Sequence, residues 1–156
     1  MIHKTVIHRA HPFWYDRAED GTRTPRKFEK LRTTIVGKDV DIFPLVCIVS
    51  GTQRPTMICD RAKIGPRAQI GHDALIGADT VIGAGAIICG LAEIGNRCTL
   101  GAGAIVTPEV KIGDDCFIGA GVVVSKDVPP NTKITLRQET CTRRNWEHLP
   151  WSGSAS

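Results

Sequence analysis

The stretch Ile64-Gly-Pro-Arg-Ala-Gln-Ile70-Gly-His-Asp-Ala-Leu-Ile76-Gly-Ala-Asp-Thr-Val-Ile82 repeats its own pattern every six residues. Extended both ways, the first position of the hexad is Ile58, Ile64, Ile70, Ile76, Ile82, Ile88, Ile94, Leu100, Val106, Ile112, Ile118 and Val124. The fifth position is small or β-branched throughout, from Ala62 and Ala68 to Val122 and Val128. Gly fills the second position at 65, 71, 77, 83, 95, 101, 113 and 119. A period of six matches neither the 3.6 of a helix nor the 2 of a simple hairpin. It matches a short strand followed by a turn, with glycine expected to supply the backbone freedom the turn needs. Three such units close a triangular coil of 18 residues, and stacking buries what one coil cannot bury alone.

An earlier stretch, Val36-Gly37, Ile42 and Ile48, keeps the period in a shifted phase, and four extra residues around 50–55 then form a loop. The expectation is an all-β solenoid of about five coils over residues 36–134. A basic segment (1–35) precedes it and a tail or cap (135–156) follows. Pro129-Pro130-Asn131 ends the repeat, because proline cannot donate to a ladder. Thr24-Pro25 suits the first turn of a short helix running to about Arg32.

Composition agrees. The 156 residues include 17 Ile and 12 Val against 7 Leu, a β-branched excess that suits strands. Gly is high at 16 and aromatics are 5%, as tight coils leave little space for rings. The net charge of +4 belongs to residues 1–35, with eight Lys/Arg against four Asp/Glu. No basic stripe with interleaved aromatics marks a nucleic-acid module. No apolar run reaches the ~20 residues of a membrane span, and no signal peptide is visible, so the expected setting is cytoplasmic. The six cysteines form no Cys-x-x-Cys pair and read as small core fillers rather than metal ligands. His3, His8 and His11 lack a metal-binding spacing, and no metal is expected.

The 18-residue coil sets residues 18 apart one above another. His72 is the one histidine inside the repeat and sits at a turn, where an imidazole is exposed and reaches a ligand. One coil on lies Gly90, in the third slot of its hexad rather than the second, so its N–H faces the ring with no side chain between. Acyl transfer from a thioester needs a base for the attacking amine or hydroxyl and a donor for the oxyanion. His72 and the Gly90 amide offer both. Asp73 is the candidate to orient the imidazole, although adjacent turn residues often point apart. At a second corner Gly83-Ala-Gly85, Gly101-Ala-Gly103 and Gly119-Ala-Gly121 stack into a column of the smallest residues, either a path for a narrow pantetheine arm or simply the turn this repeat prefers. Beside it, Gln69, Ile87, Ile105 and Val123 form an outward stripe that is largely apolar, which suggests an interface.

These repeats resemble the hexapeptide-repeat acyltransferases, whose fold is a left-handed parallel β-helix and whose members are typically trimers. Gly51-Thr-Gln-Arg-Pro-Thr-Met-Ile58 and Gln69-Ile-Gly-His-Asp73 resemble the N-acyltransferase of lipid A synthesis, which acts on a UDP-glucosamine. The stretch Ile118–Asn131 is more similar to the sialic-acid and bacillosamine acetyltransferases. The resemblance implies His72 as base, Asp73 beside it, the Gly90 amide as oxyanion donor, and main-chain contacts from Ala102 and Ala120 to coenzyme A. It implies acetyl-CoA as acyl donor and a sugar or sugar nucleotide as acceptor. Both families carry an N-terminal nucleotide-binding domain where this chain has a short segment, and Val81 stands where the acetyltransferases have a further histidine. Two other readings stay open: a non-catalytic solenoid for binding or assembly, and a γ-type carbonic anhydrase, which takes three histidines where this repeat has His72 alone.

Overall fold

The computed structural model describes residues 7–10, 15–25 and 31–136. Within them, short parallel strands wind into a left-handed β-helix with three faces. The first face stacks Cys47–Val49, Gln69–Ile70, Ile87–Ile88, Ile105–Val106 and Val123–Val124. The second stacks Thr34–Val36, Thr56–Ile58, Leu75–Ile76, Glu93–Ile94 and Lys111–Ile112. The third stacks Asp41–Ile42, Lys63–Ile64, Val81–Ile82, Thr99–Leu100 and Phe117–Ile118. That gives five complete coils. Ile7–Ala10 adds a strand on Cys47–Val49 at one end, and Lys133–Ile134 pairs with Phe117–Ile118 at the other. The stack therefore reaches about six turns rather than five.

All twelve first-position aliphatics point inward and are buried, Ile64, Ile70, Ile76, Ile82 and Ile88 at 0% exposure. The fifth-position residues fill the space between them, with Cys98 and Cys116 among the buried ones. Their thiols donate to the carbonyls of Gly113 (3.1 Å) and Pro129 (3.2 Å). Cys47, Cys59, Cys89, Cys98 and Cys116 are all free thiols. Cys141, Trp146 and Trp151 lie outside the described residues.

The turn chemistry differs from the sequence expectation in one respect. The left-handed residue is the fourth of each hexad, as at Arg61, Asp73, Leu91 and Arg97 (φ between 55° and 64°), not the second-position glycine. Those glycines are needed for close approach instead. A Cβ on Gly83 would lie 2.6 Å from the amide nitrogen of Ala102 in the next coil, and one on Gly65 2.8 Å from that of Ala84.

The expected helix start at Thr24-Pro25 is not formed. Arg23–Pro25 pairs antiparallel with Tyr15–Arg17. Asp20-Gly21 forms the connecting turn, with Gly21 at φ 85° and the Asp20 carboxylate accepting from the amide and hydroxyl of Thr22. An Asp-Gly pair favours hairpin turns, and this local signal outweighs proline's fit to a helix start. Residues 26–30 of that expected helix lie outside the described residues.

Candidate active site

The corner joining the first face to the second is built by residues 71–74, one coil above by 89–92, and on the other side by the loop 50–55. Asp73 takes φ 59° there and is fully buried. Its Oδ1 accepts the backbone amides of Thr52 (2.9 Å), Gln53 (2.8 Å) and Arg54 (2.7 Å). Its Oδ2 accepts the Thr52 hydroxyl at 2.6 Å and meets Nδ1 of His72 at 2.7 Å. Burial by itself raises the pKa of this carboxyl. The Thr52 hydroxyl, the Arg54 amide, the His72 ring and the Gln53 amide outweigh it and bring the pKa down to about 2. Asp73 is therefore an anion at neutral pH and only accepts. Nδ1 of a neutral His72 must then carry the proton, which leaves the lone pair on Nε2.

Nε2 faces the next coil. A Cβ on Gly90 would lie 2.6 Å from Cε1 of His72 and closer still to Nε2. Only glycine leaves room for the ring there. The stacking of His72 and Gly90 inferred from the 18-residue period is thus present, and the Leu91 amide donates to the His72 carbonyl at 2.9 Å. The imidazole is less open than a corner position suggests, with its side chain 13% exposed. The coil above and the Asp73 contact cover most of it.

The residues that seat Asp73 were not singled out in the sequence. Thr56, fully buried, accepts the Asp73 amide at 2.9 Å and donates to the Val49 carbonyl at 2.8 Å. Arg54 donates through Nε to the Asp73 carbonyl (2.9 Å) and through a terminal nitrogen to Glu93 (2.8 Å). The signal that could have found them was position: the four extra residues fall on the same corner as His72. A cleft of about 390 Å³, lined by Gln53, Arg54, Leu91, Glu93, Glu109 and Lys111, adjoins this corner. A larger one of about 590 Å³ lies along the second face, between Cys59 and Pro129, and none of the candidate residues lines it. Cys89 precedes Gly90, but burial pushes its thiol up, so it does not offer a thiolate.

Ala102 and Ala120 lie on the corner joining the third face to the first, one strand away from the His72 corner. Ala84, Ala102 and Ala120 are exposed, as are Gly85, Gly103 and Gly121. These three glycines hold φ of 65° to 68°, and a methyl on Gly85 or Gly103 would meet nothing within 4 Å. Within one chain the column is a smooth open edge rather than a walled groove. Between the two corners, Ile87 stacks on Gln69 and Ile105, and Ile105 on Val123, which is 58% exposed. Among the described residues no helix is long and apolar enough to cross a membrane.

The bacterial transferase hexapeptide family, six repeats long, matches residues 55–90 and again 92–126. No curated protein sequence matches the chain. Among solved structures, PerB from Caulobacter crescentus, in complex with CoA and GDP-perosamine, is 27% identical with a TM-score of 0.63, over 85% of this chain and 51% of that one. The UDP-N-acetylglucosamine acyltransferase from Campylobacter jejuni is 28% identical with a TM-score of 0.63, over 68% and 43%. Another UDP-N-acetylglucosamine acyltransferase shares the fold at 23% identity and a TM-score of 0.73, over 85% and 48%. The chain spans about half the length of these relatives. Repeat, solenoid and structural neighbours all agree with the match of residues 55–90 and 92–126 to the bacterial transferase hexapeptide family.

Proposed function

We propose that this protein transfers an acyl group, acetyl in the simplest case, from a CoA thioester to an amine or hydroxyl of a sugar or sugar nucleotide. The observation that carries the reading is the His72–Asp73 pair. An ionised, fully buried carboxylate holds Nδ1 at 2.7 Å, and Nε2 is aimed at the Gly90 backbone one coil away. That is a base of fixed tautomer beside a backbone donor, which is what thioester aminolysis requires.

In this reading Nε2 of His72 takes the proton from the attacking amine or hydroxyl. Asp73 keeps the ring oriented and stabilises the imidazolium that forms. The Gly90 amide donates to the carbonyl oxygen as it gains negative charge. The imidazolium then returns its proton to the leaving thiolate. The thioester supplies the activated acyl group. The main chain at Ala102 and Ala120 lies along the path of its pantetheine arm, where small exposed residues allow close contact.

PerB, with CoA and GDP-perosamine on the same fold, supports both the donor and the acceptor class. We further propose a homotrimer packed through the first face, in which the Ile87–Ile105–Val123 stripe is covered and a neighbouring copy walls the open edge. The reaction is placed in the cytoplasm, where acyl-CoA is available. A thermal-shift titration with CoA, followed by a panel of amino-sugar nucleotides with acetyl-CoA, tests the reading. A CoA-dependent rise in Tm and acceptor-dependent thiol release are expected. Neither appearing with any acceptor would overturn it.

A further inference from the structure

The two oxygens of Asp73 are held unequally. Oδ1 takes three backbone amides from the loop, at 2.7–2.9 Å. Oδ2, the oxygen that meets His72, has one other partner among its hydrogen bonds: the Thr52 hydroxyl at 2.6 Å. A carboxylate pinned at one oxygen still swings the other, so the direction in which Oδ2 presents itself to His72 depends on Thr52. The loop that carries Thr52 is itself fixed on both sides. The Gly51 carbonyl accepts the Arg32 amide at 2.8 Å, and Arg54 bonds Glu93 of the coil above at 2.8 Å. Inside the loop, a Cβ on Gly51 would lie 3.1 Å from the Thr56 nitrogen and would overlap the Arg54 carbonyl, so the turn tolerates glycine alone. The inserted loop thus forms a rigid clamp on both oxygens, with three amides on Oδ1 and the Thr52 hydroxyl on Oδ2.

We propose that Thr52 is a positioning residue for the proposed reaction. Its hydroxyl fixes Oδ2 of Asp73 against the Nδ1–H of His72, and so holds the imidazole in the tautomer whose lone pair points at Gly90. Thr52 touches no reacting atom; it acts through Asp73. The inference rests on His72 being the base, but its structural half stands without any turnover.

The test is made on the full chain with 15N-labelled imidazoles at pH 8, where neutral histidine shows its tautomer by NMR, and His72→Gln assigns the signal. Wild type is expected to show a protonated Nδ1 and an unprotonated Nε2. Thr52→Val is expected to give a mixture of tautomers, and Thr52→Ser, which keeps the hydroxyl, to return the wild-type spectrum. With a productive acceptor, Thr52→Val is expected to lower kcat roughly 10-fold with KM little changed, as a slightly misplaced base does. An Nε2–H tautomer in wild type, or a wild-type spectrum in Thr52→Val, overturns the proposal even if that variant is less stable. If acyl transfer is never found yet the spectra behave as expected, the clamp stands and the assignment of the reaction fails.

Discussion

His72 and Asp73 are adjacent in sequence, yet their side chains meet at 2.7 Å between Nδ1 and Oδ2. Neighbours on an extended strand point to opposite sides. The left-handed conformation of Asp73, φ 59°, turns its carboxylate back beneath the ring, and the loop 51–54 closes over the other side. An exposed turn residue has thereby become a fully buried anion whose whole hydrogen-bonding capacity is spent on one imidazole and one loop.

Asp73→Asn keeps the shape and removes the charge. With Oδ1 retained by the three amides, the new NH2 would face His72 and donate to a lone pair at Nδ1. The proton would move to Nε2, the wrong tautomer for a base. Acyl transfer is expected to fall on the order of 10³- to 10⁴-fold, with an unchanged circular-dichroism spectrum. Activity within a few-fold of wild type would separate Asp73 from the chemistry.

The same anion makes stability depend on acid. The folded pKa of Asp73 is depressed, from 3.8 to about 2. Its contribution is therefore fully present above pH 4 and is lost as pH falls from 4 through 2. The size is about 2 kcal/mol for this buried group. Urea unfolding at pH 6 and pH 2.5 is expected to show a smaller loss for Asp73→Asn than for wild type. Equal losses in the two proteins would assign the acid limb to other carboxylates.

Two glycines near the site should respond in opposite ways. On Gly90 a methyl would press on the His72 ring, which can swing aside, so Gly90→Ala is expected to keep its Tm within a few degrees and lose about 100-fold in kcat. On Gly71 a methyl would lie 2.5 Å from the Gly90 nitrogen and 2.6 Å from the Cys89 carbonyl carbon, backbone that cannot yield cheaply. Gly71→Ala is expected to lower stability by about 1–3 kcal/mol in thermal unfolding. A Gly90→Ala protein that unfolds as readily as Gly71→Ala would show that the His72 corner is packing rather than a site.

The open edge at Ala102 gives a binding variant that should leave the fold alone. If the donor lies along this edge as proposed, a carboxylate at this exposed position would repel the phosphates of CoA and obstruct the pantetheine path. Ala102→Glu is expected to raise KM for acetyl-CoA at least about 10-fold, a change of ~1.4 kcal/mol in binding, with Tm unchanged. An unaltered KM would move the donor site away from this corner.

Most of the solenoid was legible in the spacing of Ile58 through Val124, because one inward side chain per six residues leaves no other regular solution. The pairing of His72 with Gly90 followed from the same 18-residue arithmetic. What the spacing could not carry was the loop 50–55, where the period breaks and the contacts of Thr52, Arg54 and Thr56 depend on how four extra residues fold. Asp73 was uncertain for a related reason, since its direction is set by a positive φ that a non-glycine side chain does not advertise. The role of the second-position glycines was misjudged because the repeat shows where glycine occurs but not whether φ or close approach demands it; the clash between Gly83 and Ala102 decides for close approach. The hairpin signal at Asp20-Gly21 is present in the sequence, and it outweighs the fit of Pro25 to a helix start.

The most direct measurement is release of free CoA thiol from acetyl-CoA with amino-sugar nucleotide acceptors, wild type against His72→Ala. The account predicts acceptor-dependent release by wild type and a loss of at least about 10²- to 10⁴-fold in the variant, as removal of a general base requires. The variant should melt like wild type. Comparable thiol release from His72→Ala would contradict the account at its centre.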